Sequence, residues 1–186
     1  MSNARNLANL LNSSGTATLN NGLTLTDGDI AVASGHGVSF ASTSDASGMA
    51  SELLDDYEEG DWTPVLKEGT DTLTTASGTT LGQYNKIGNV VTVFCTIFNI
   101  TKSGTASLTV EGLPFQSSIF SSSVIYLARF TSNGTGVPIA RLEANSSVVQ
   151  LRYLTSGNSN DTAMLASDIA SSTTSDIRFT LSYRTS

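Results

Sequence analysis

The feature that most restricts how this chain can fold is a succession of segments too thin to stand alone. Thr16–Leu19, Leu23–Thr26, Ile30–Val32 and Val38–Phe40 each alternate apolar and polar side chains. Turn-forming residues separate them, at 20–22, 27–28 and 34–37. Each segment offers about two apolar side chains, and even a complete two-stranded hairpin is marginal in water. The missing core must come from elsewhere, and copies of the same chain around a threefold axis supply it most simply. Leu19, Leu23, Leu25, Ile30, Val32, Val38 and Phe40 are therefore expected at a homotrimer interface. A flexible Gly/Ser linker would not space its leucines, isoleucines and valines so regularly.

Composition agrees with a β-rich chain. Ser and Thr number 28 and 25 among 186 residues, while charged residues are only 13%, about half the usual share. Hydroxyl-bearing and β-branched residues suit half-solvated strands. Disorder goes with high charge and few β-branched residues, which this chain does not show. The net charge of −7 leaves nine cations in all, scattered along the sequence, so no basic patch for nucleic acid is expected. The longest apolar run, Val90–Ile100, is interrupted by Thr92, Thr96 and Asn99 and is too short to cross a bilayer as a helix. The single Cys95 rules out an intrachain disulfide or a cysteine zinc site, and the single His36 makes a Ser-His-Asp triad a poor prospect.

Charge also divides the chain. No Lys or Arg lies between Asn6 and Leu66, and nine of the 16 acids fall between Asp27 and Asp61. Residues 1–14 read as an N-terminal segment whose Leu7, Leu10 and Leu11 recur at helical spacing. A helix so short needs another surface to cover it, so these three leucines are expected to anchor the chain by docking on another protein. The opening residues lack a basic-then-apolar leader pattern. Residues 15–50 read as the shaft and 51–64 as an acidic hinge. Within the hinge, Ser51–Gly60 suggests one or two helical turns stopped by Gly60, with Leu53, Leu54, Tyr57 and Trp62 docked on the following domain.

Residues 65–186 read as strands and turns. In Val90–Phe98, Val91, Val93, Cys95 and Ile97 share one face and Val90, Phe94 and Phe98 the other, so both faces are expected to be buried. In Asp176–Tyr183, Ile177, Phe179, Leu181 and Tyr183 share one face. Further strands are expected at 83–87, 106–110, 124–130, 137–142 and 148–154, with a weaker one at 163–169. Seven to nine strands at this spacing indicate an antiparallel, jelly-roll-like β-sandwich. The fold class expected is all-β, a thin intertwined trimeric shaft followed by a sandwich head.

The acids Asp55, Asp56, Glu58, Glu59 and Asp61 are dense enough to suggest glycoside hydrolysis or calcium binding. Adjacent residues on a short helix point apart, however, and a solvated acidic turn explains them. Asp27 and Asp29 flank a Gly in a turn dipeptide. His36, repeated three times about an axis, is a candidate ion holder, though an exposed turn histidine explains it as well. Cys95 reads as a small core residue. No phosphate loop, dinucleotide fingerprint or nucleophile elbow is present. Neither a catalytic residue, nor a metal, nor a cofactor is expected.

The block SELLDDYEEGDWTP at 51–64 resembles a module of tailed-bacteriophage structural proteins, of the marine and cyanophage type, written LxDYEEGxWTP. GQYNKIGNVVTV at 82–93 matches its GxYxKIGNxVTV strand, and GLPF at 112–115 its following turn. Leu23–Phe40 is similar to the fibre repeat that precedes the block. The likeness covers about residues 15–115. Asp61 departs from it, since a Thr or another small residue is common there. The resemblance implies a trimeric fibre or appendage protein, resident in the virion, assembled in the host cytoplasm and contacting capsid or tail proteins. Capsid decoration or a head fibre is the alternative, and a glycan depolymerase a more remote one. Beyond residue 116 the chain is unmatched, as for a variable tip. Host glycan or protein contact is expected on loops 116–123, 131–137, 144–147 and 155–162. Tyr126, Arg141, Arg152 and Tyr153, on flanking strands, are the candidate receptor contacts, because Tyr and Arg stack on sugars and pair with anions. The competing expectation is that the tyrosines pack inward and the arginines pair with Glu143 and Asp161.

Overall fold

The computed structural model describes residues 24–40, 47, 53–54, 56–73, 80–101, 104–130, 136–155, 161–170 and 175–186. The chain divides into two units, Met1–Ala33 and Ser34–Ser186. Leu7, Leu10, Leu11, Leu19 and Leu23 lie outside the described residues. In the first unit, residues 24–33 form no strand ladder within the chain, and Leu25, Ile30 and Val32 are exposed.

The second unit is all-β. Its strands are β1 (Val38–Ser39), β2 (Leu53–Leu54), β3 (Tyr57–Trp62), β4 (Val65–Glu68), β5 (Asp71–Thr72), β6 (Thr80–Ile87), β7 (Val90–Ile100), β8 (Leu108–Glu111), β9 (Ser121–Ala128), β10 (Gly136–Leu142), β11 (Val149–Thr155), β12 (Thr162–Ala163) and β13 (Ser175–Arg184). Among the described residues the one helical element is a 3-10 turn at Ala166–Asp168. β1 pairs with β2. The rest form one antiparallel sheet in the order β3-β6-β7-β13-β9-β10-β11-β8-β4-β5, with β12 beside β11.

This sheet is curled. β3 stands at one end of the strand order and β4 next to the other, yet only Thr63 and Pro64 separate them in sequence. The opposite turn is made within β9, whose Ser121–Val124 half pairs with β10 and whose Ile125–Ala128 half pairs with β13. A strand that changes partners along its length is how a sheet turns a corner.

The concave face holds a single hydrophobic core. Val91, Val93, Cys95 and Ile97 of β7 lie opposite Tyr183, Leu181, Phe179 and Ile177 of β13, and all eight are buried. Leu66, Val110, Leu142, Val149, Leu151 and Met164 close the core from the other half of the sheet. Burying each such aliphatic side chain contributes about 1.5–3 kcal/mol before chain entropy is set against it.

Three expectations need correction. Tyr57–Gly60 belongs to a strand rather than a helical turn, because Tyr57–Trp62 finds a full antiparallel partner in Gly82–Ile87. Pairing decided what propensity left open. Of the apolar hinge residues only Trp62 is buried; Leu53, Leu54 and Tyr57 are exposed. β7 is buried on one face alone, with Val90 44% and Phe94 46% exposed, because the sheet covers its concave side only.

Candidate functional site

The three blocks singled out by sequence meet in space. The Trp62 indole N–H points across β6 and donates to the carbonyl oxygens of Gln83 and Phe94, at 3.2 and 3.3 Å. Gly82 lies beneath the ring, where a Cβ would approach the Trp62 Cε2 to 2.8 Å and the Trp62 carbonyl oxygen to 2.5 Å. Gly112 opens the GLPF turn at φ +95°, and a Cβ there would meet the Thr63 carbonyl oxygen at 2.3 Å. Tyr84 meets Phe115 edge-on with centroids 5.5 Å apart. The buried Lys86 ammonium lies over the Phe115 ring and pairs with Asp56. Tyr183 donates its hydroxyl to the Phe115 carbonyl, 3.0 Å away. These contacts tie β3, β6 and the turn after β8 together, so the cluster closes the curled sheet.

The expected receptor residues separate into two environments. Arg141 donates both charged hydrogen bonds of one nitrogen to Asp161, at 2.9 and 2.8 Å, and Arg152 donates through Nε at 2.7 Å. Glu143 holds the other end of Arg141 at 2.5 Å. Burial alone would raise the Asp161 carboxyl, but the hydrogen bonds from the two arginines outweigh it and hold the group below its ordinary range. Tyr153 is buried at 4% exposure, and burial, with the Asp168 charge, pushes its hydroxyl up to about 12. Tyr153 thus packs inward, and Arg141 and Arg152 pair with Asp161 and Glu143, which is the competing expectation rather than the contact one. The alternation along β11 explains Tyr153, which follows Val149 and Leu151 on the inner face.

Tyr126 is different. It is 59% exposed and stands on the convex face of β9, directly across from Arg178 of β13. The Arg178 guanidinium is 5.5 Å from the Tyr126 centroid and 4.7 Å from that of Phe98. A cation between two rings gains from both quadrupoles. A shallow groove beside it is lined by Phe94, Thr96, Ser123, Val124 and Thr180. Arg178 and Phe98 were missed at the sequence level, although the alternation of β13, with Arg178, Thr180 and Ser182 between buried residues, carries the signal.

The four loops fall at opposite ends of the sheet. Gly136 pairs with Thr155, so the connections over 131–137 and 155–162 leave from one end. Gln116 and Ser117 bond to Asn145 and Ser146, which joins the other two loops at the far end. His36 is exposed. Among the described residues no three His, Cys, Asp or Glu side chains gather as a metal would require, and no helix is long and apolar enough to cross a membrane. The Cys95 thiol is buried and its pKa is pushed far up by that burial.

The second unit is thus a curled antiparallel sheet, all-β among the described residues. The crystal structure of the Dettilon tailspike protein is similar over 67% of this chain, with a TM-score of 0.54 and 19% identity. The chain spans about a quarter of that protein, 23% of its length. No family model matches the sequence, and no curated protein does.

Proposed function

We propose that this chain is a homotrimeric structural protein of a tailed-phage virion, a fibre- or spike-type appendage with a thin β shaft and a sandwich-like head that contacts the host. The observation that carries this reading is the curled all-β unit, whose fold is shared with part of a tailspike protein. The sequence of the preceding segment supports it. Leu25, Ile30, Val32, Val38 and Phe40 are 46–65% exposed in the single chain, as residues awaiting partner copies are. The block at 51–64 and its companions at 82–93 and 112–115 resemble the phage module. The head acts by binding rather than by catalysis. Of the acids on β3, Glu59 accepts from Tyr57 and Asp61 from Gln83, and both lie on the open convex face.

Immunogold microscopy of intact virions with antibody to residues 65–186 tests the reading, and label on fibres or spikes is expected. Label spread evenly over the capsid shell replaces it with shell decoration. Deleting residues 1–12 is expected to leave a folded trimer that no longer joins the particle, since Leu7, Leu10 and Leu11 form the proposed anchor.

A further inference from the structure

The convex face of β3-β6-β7-β13-β9 carries charge of opposite sign on its two flanks. Glu59 and Asp61 project from β3 at one side, and Arg178 and Arg184 from β13 near the other; all four are exposed, and although Asp176 on the same face of β13 pairs with Arg178 at 3.7 Å, that flank stays net positive. The two strands between present no charged side chain to this face, only residues such as Leu81, Gln83, Asn85, Thr92, Phe94 and Thr96. Large apolar groups stand among them. Tyr57, Ile87 and Val90 share one end of the face, and Leu81, Phe94 and Tyr126 the other, each 44–61% exposed. Side chains of this size are seldom left in water on one contiguous surface without a partner.

We infer that this face is where copies of the chain meet, the acidic flank of one against the Arg178 flank of the next. This rests on the homotrimer reading above. Opposite charges on opposite flanks make a head-to-tail contact, and such contacts close into a ring when the rotation allows. The dimensions suit three. Five strands spaced about 4.8 Å apart make a face about 19 Å wide, and three such faces enclose an axis about 5.5 Å away, roughly half the ~10 Å between packed sheets. That gap fits one layer of side chains from each copy, with Leu81 and Phe94 toward the centre. With β6 about 27 Å long, the projected area is roughly 500 Å² per copy, shared between its two neighbours, well under the ~800 Å² per partner of a stable interface, so this face adds to the contact made by the preceding segment rather than holding the trimer alone.

The test is cross-linking of the full-length chain bearing Asp61→Cys and Arg178→Cys with a short bis-maleimide. Within one chain these positions are three strand spacings apart, about 15 Å, beyond the reagent's span, and the native Cys95 is buried. A covalent trimer on denaturing gels is expected from the double variant and not from either single one. Adding Phe94→Glu abolishes the trimer band while the far-ultraviolet strand signal persists. Adding Val137→Glu, on β10 and off this face, leaves the band in place. If the wild-type chain sediments as a trimer but the double variant yields no covalent trimer, or stops at a dimer, the face assignment is wrong and the homotrimer reading stands. If the wild type sediments as a monomer, both fall.

Discussion

Gly82 packs directly against Trp62, and a β-carbon on Gly82 has no place between the Trp62 carbonyl, the indole and the Pro64 ring. Gly82→Ala is therefore expected to destabilise the protein by about 2–3 kcal/mol, as overpacking does, read as a lowered midpoint in urea. Gly88→Ala is a useful contrast, because its Cβ meets open space and only its φ of +55° opposes the change. Tyr153 behaves oppositely. Its hydroxyl is buried and has no hydrogen-bond partner among the described residues, and desolvating a hydroxyl without a bond is unfavourable. Tyr153→Phe is expected to be neutral or to stabilise by up to about 1 kcal/mol. It should leave the assembly state unchanged in sedimentation, whereas Tyr126→Ala, on the convex face, should weaken the contact between copies.

At the scale of elements, the Arg141–Asp161–Arg152 bridge ties the start of β12 to β10 and β11. Asp161 bonds two arginines, so Asp161→Ala takes the carboxylate from Arg152 and leaves Arg141 with Glu143 alone, and is expected to cost about 2 kcal/mol. The pH dependence follows from the same bonds. The folded carboxyl titrates below its unfolded value of 3.8, so its contribution is complete above that pH and is lost as pH falls through the lower folded value. Urea titrations from pH 6 to 2 are expected to show stability falling below about pH 4, with a shallower fall in Asp161→Asn. The change of β9 from one partner to another is the second element-scale feature. Ser121–Ser123 precede the corner and Ile125 follows it, and only the latter half carries a side chain into the core.

For the whole molecule, the two buried tyrosines set an alkaline limit. Burial pushes both Tyr153 and Tyr183 up to about 12, the latter against an opposing bond to Phe115. Both stay neutral in the fold while the unfolded chain ionises near pH 10. Stability is thus full below pH 10 and declines as pH rises toward 12. Thermal melts across that range should show the decline, and Tyr153→Phe should remove part of it. The same buried core protects Cys95, whose thiol should react with an aromatic disulfide reagent only after denaturation.

Period-two alternation was legible in β7, β11 and β13, because one face of each strand meets a core and the pattern records it directly. Cys95 as a packing residue and Val91, Val93, Ile97, Ile177, Phe179 and Leu181 as core followed from that alternation alone. The turn glycines and the three motif blocks were legible as well, since each imposes a local requirement on backbone or side-chain size. Strand partners were not. Tyr57–Gly60 reads as part of a helical turn until Gly82–Ile87 lies beside it, and hydrogen bonding between strands distant in sequence leaves no periodic mark. Nor does alternation say whether the second face of a strand is covered. That depends on which way the whole sheet curls, which is why Phe94 and Val90 face outward. For the same reason Arg141 and Arg152 resembled contact residues until the fold brought Asp161 between them, whereas Tyr126 and Arg178 stayed on the surface.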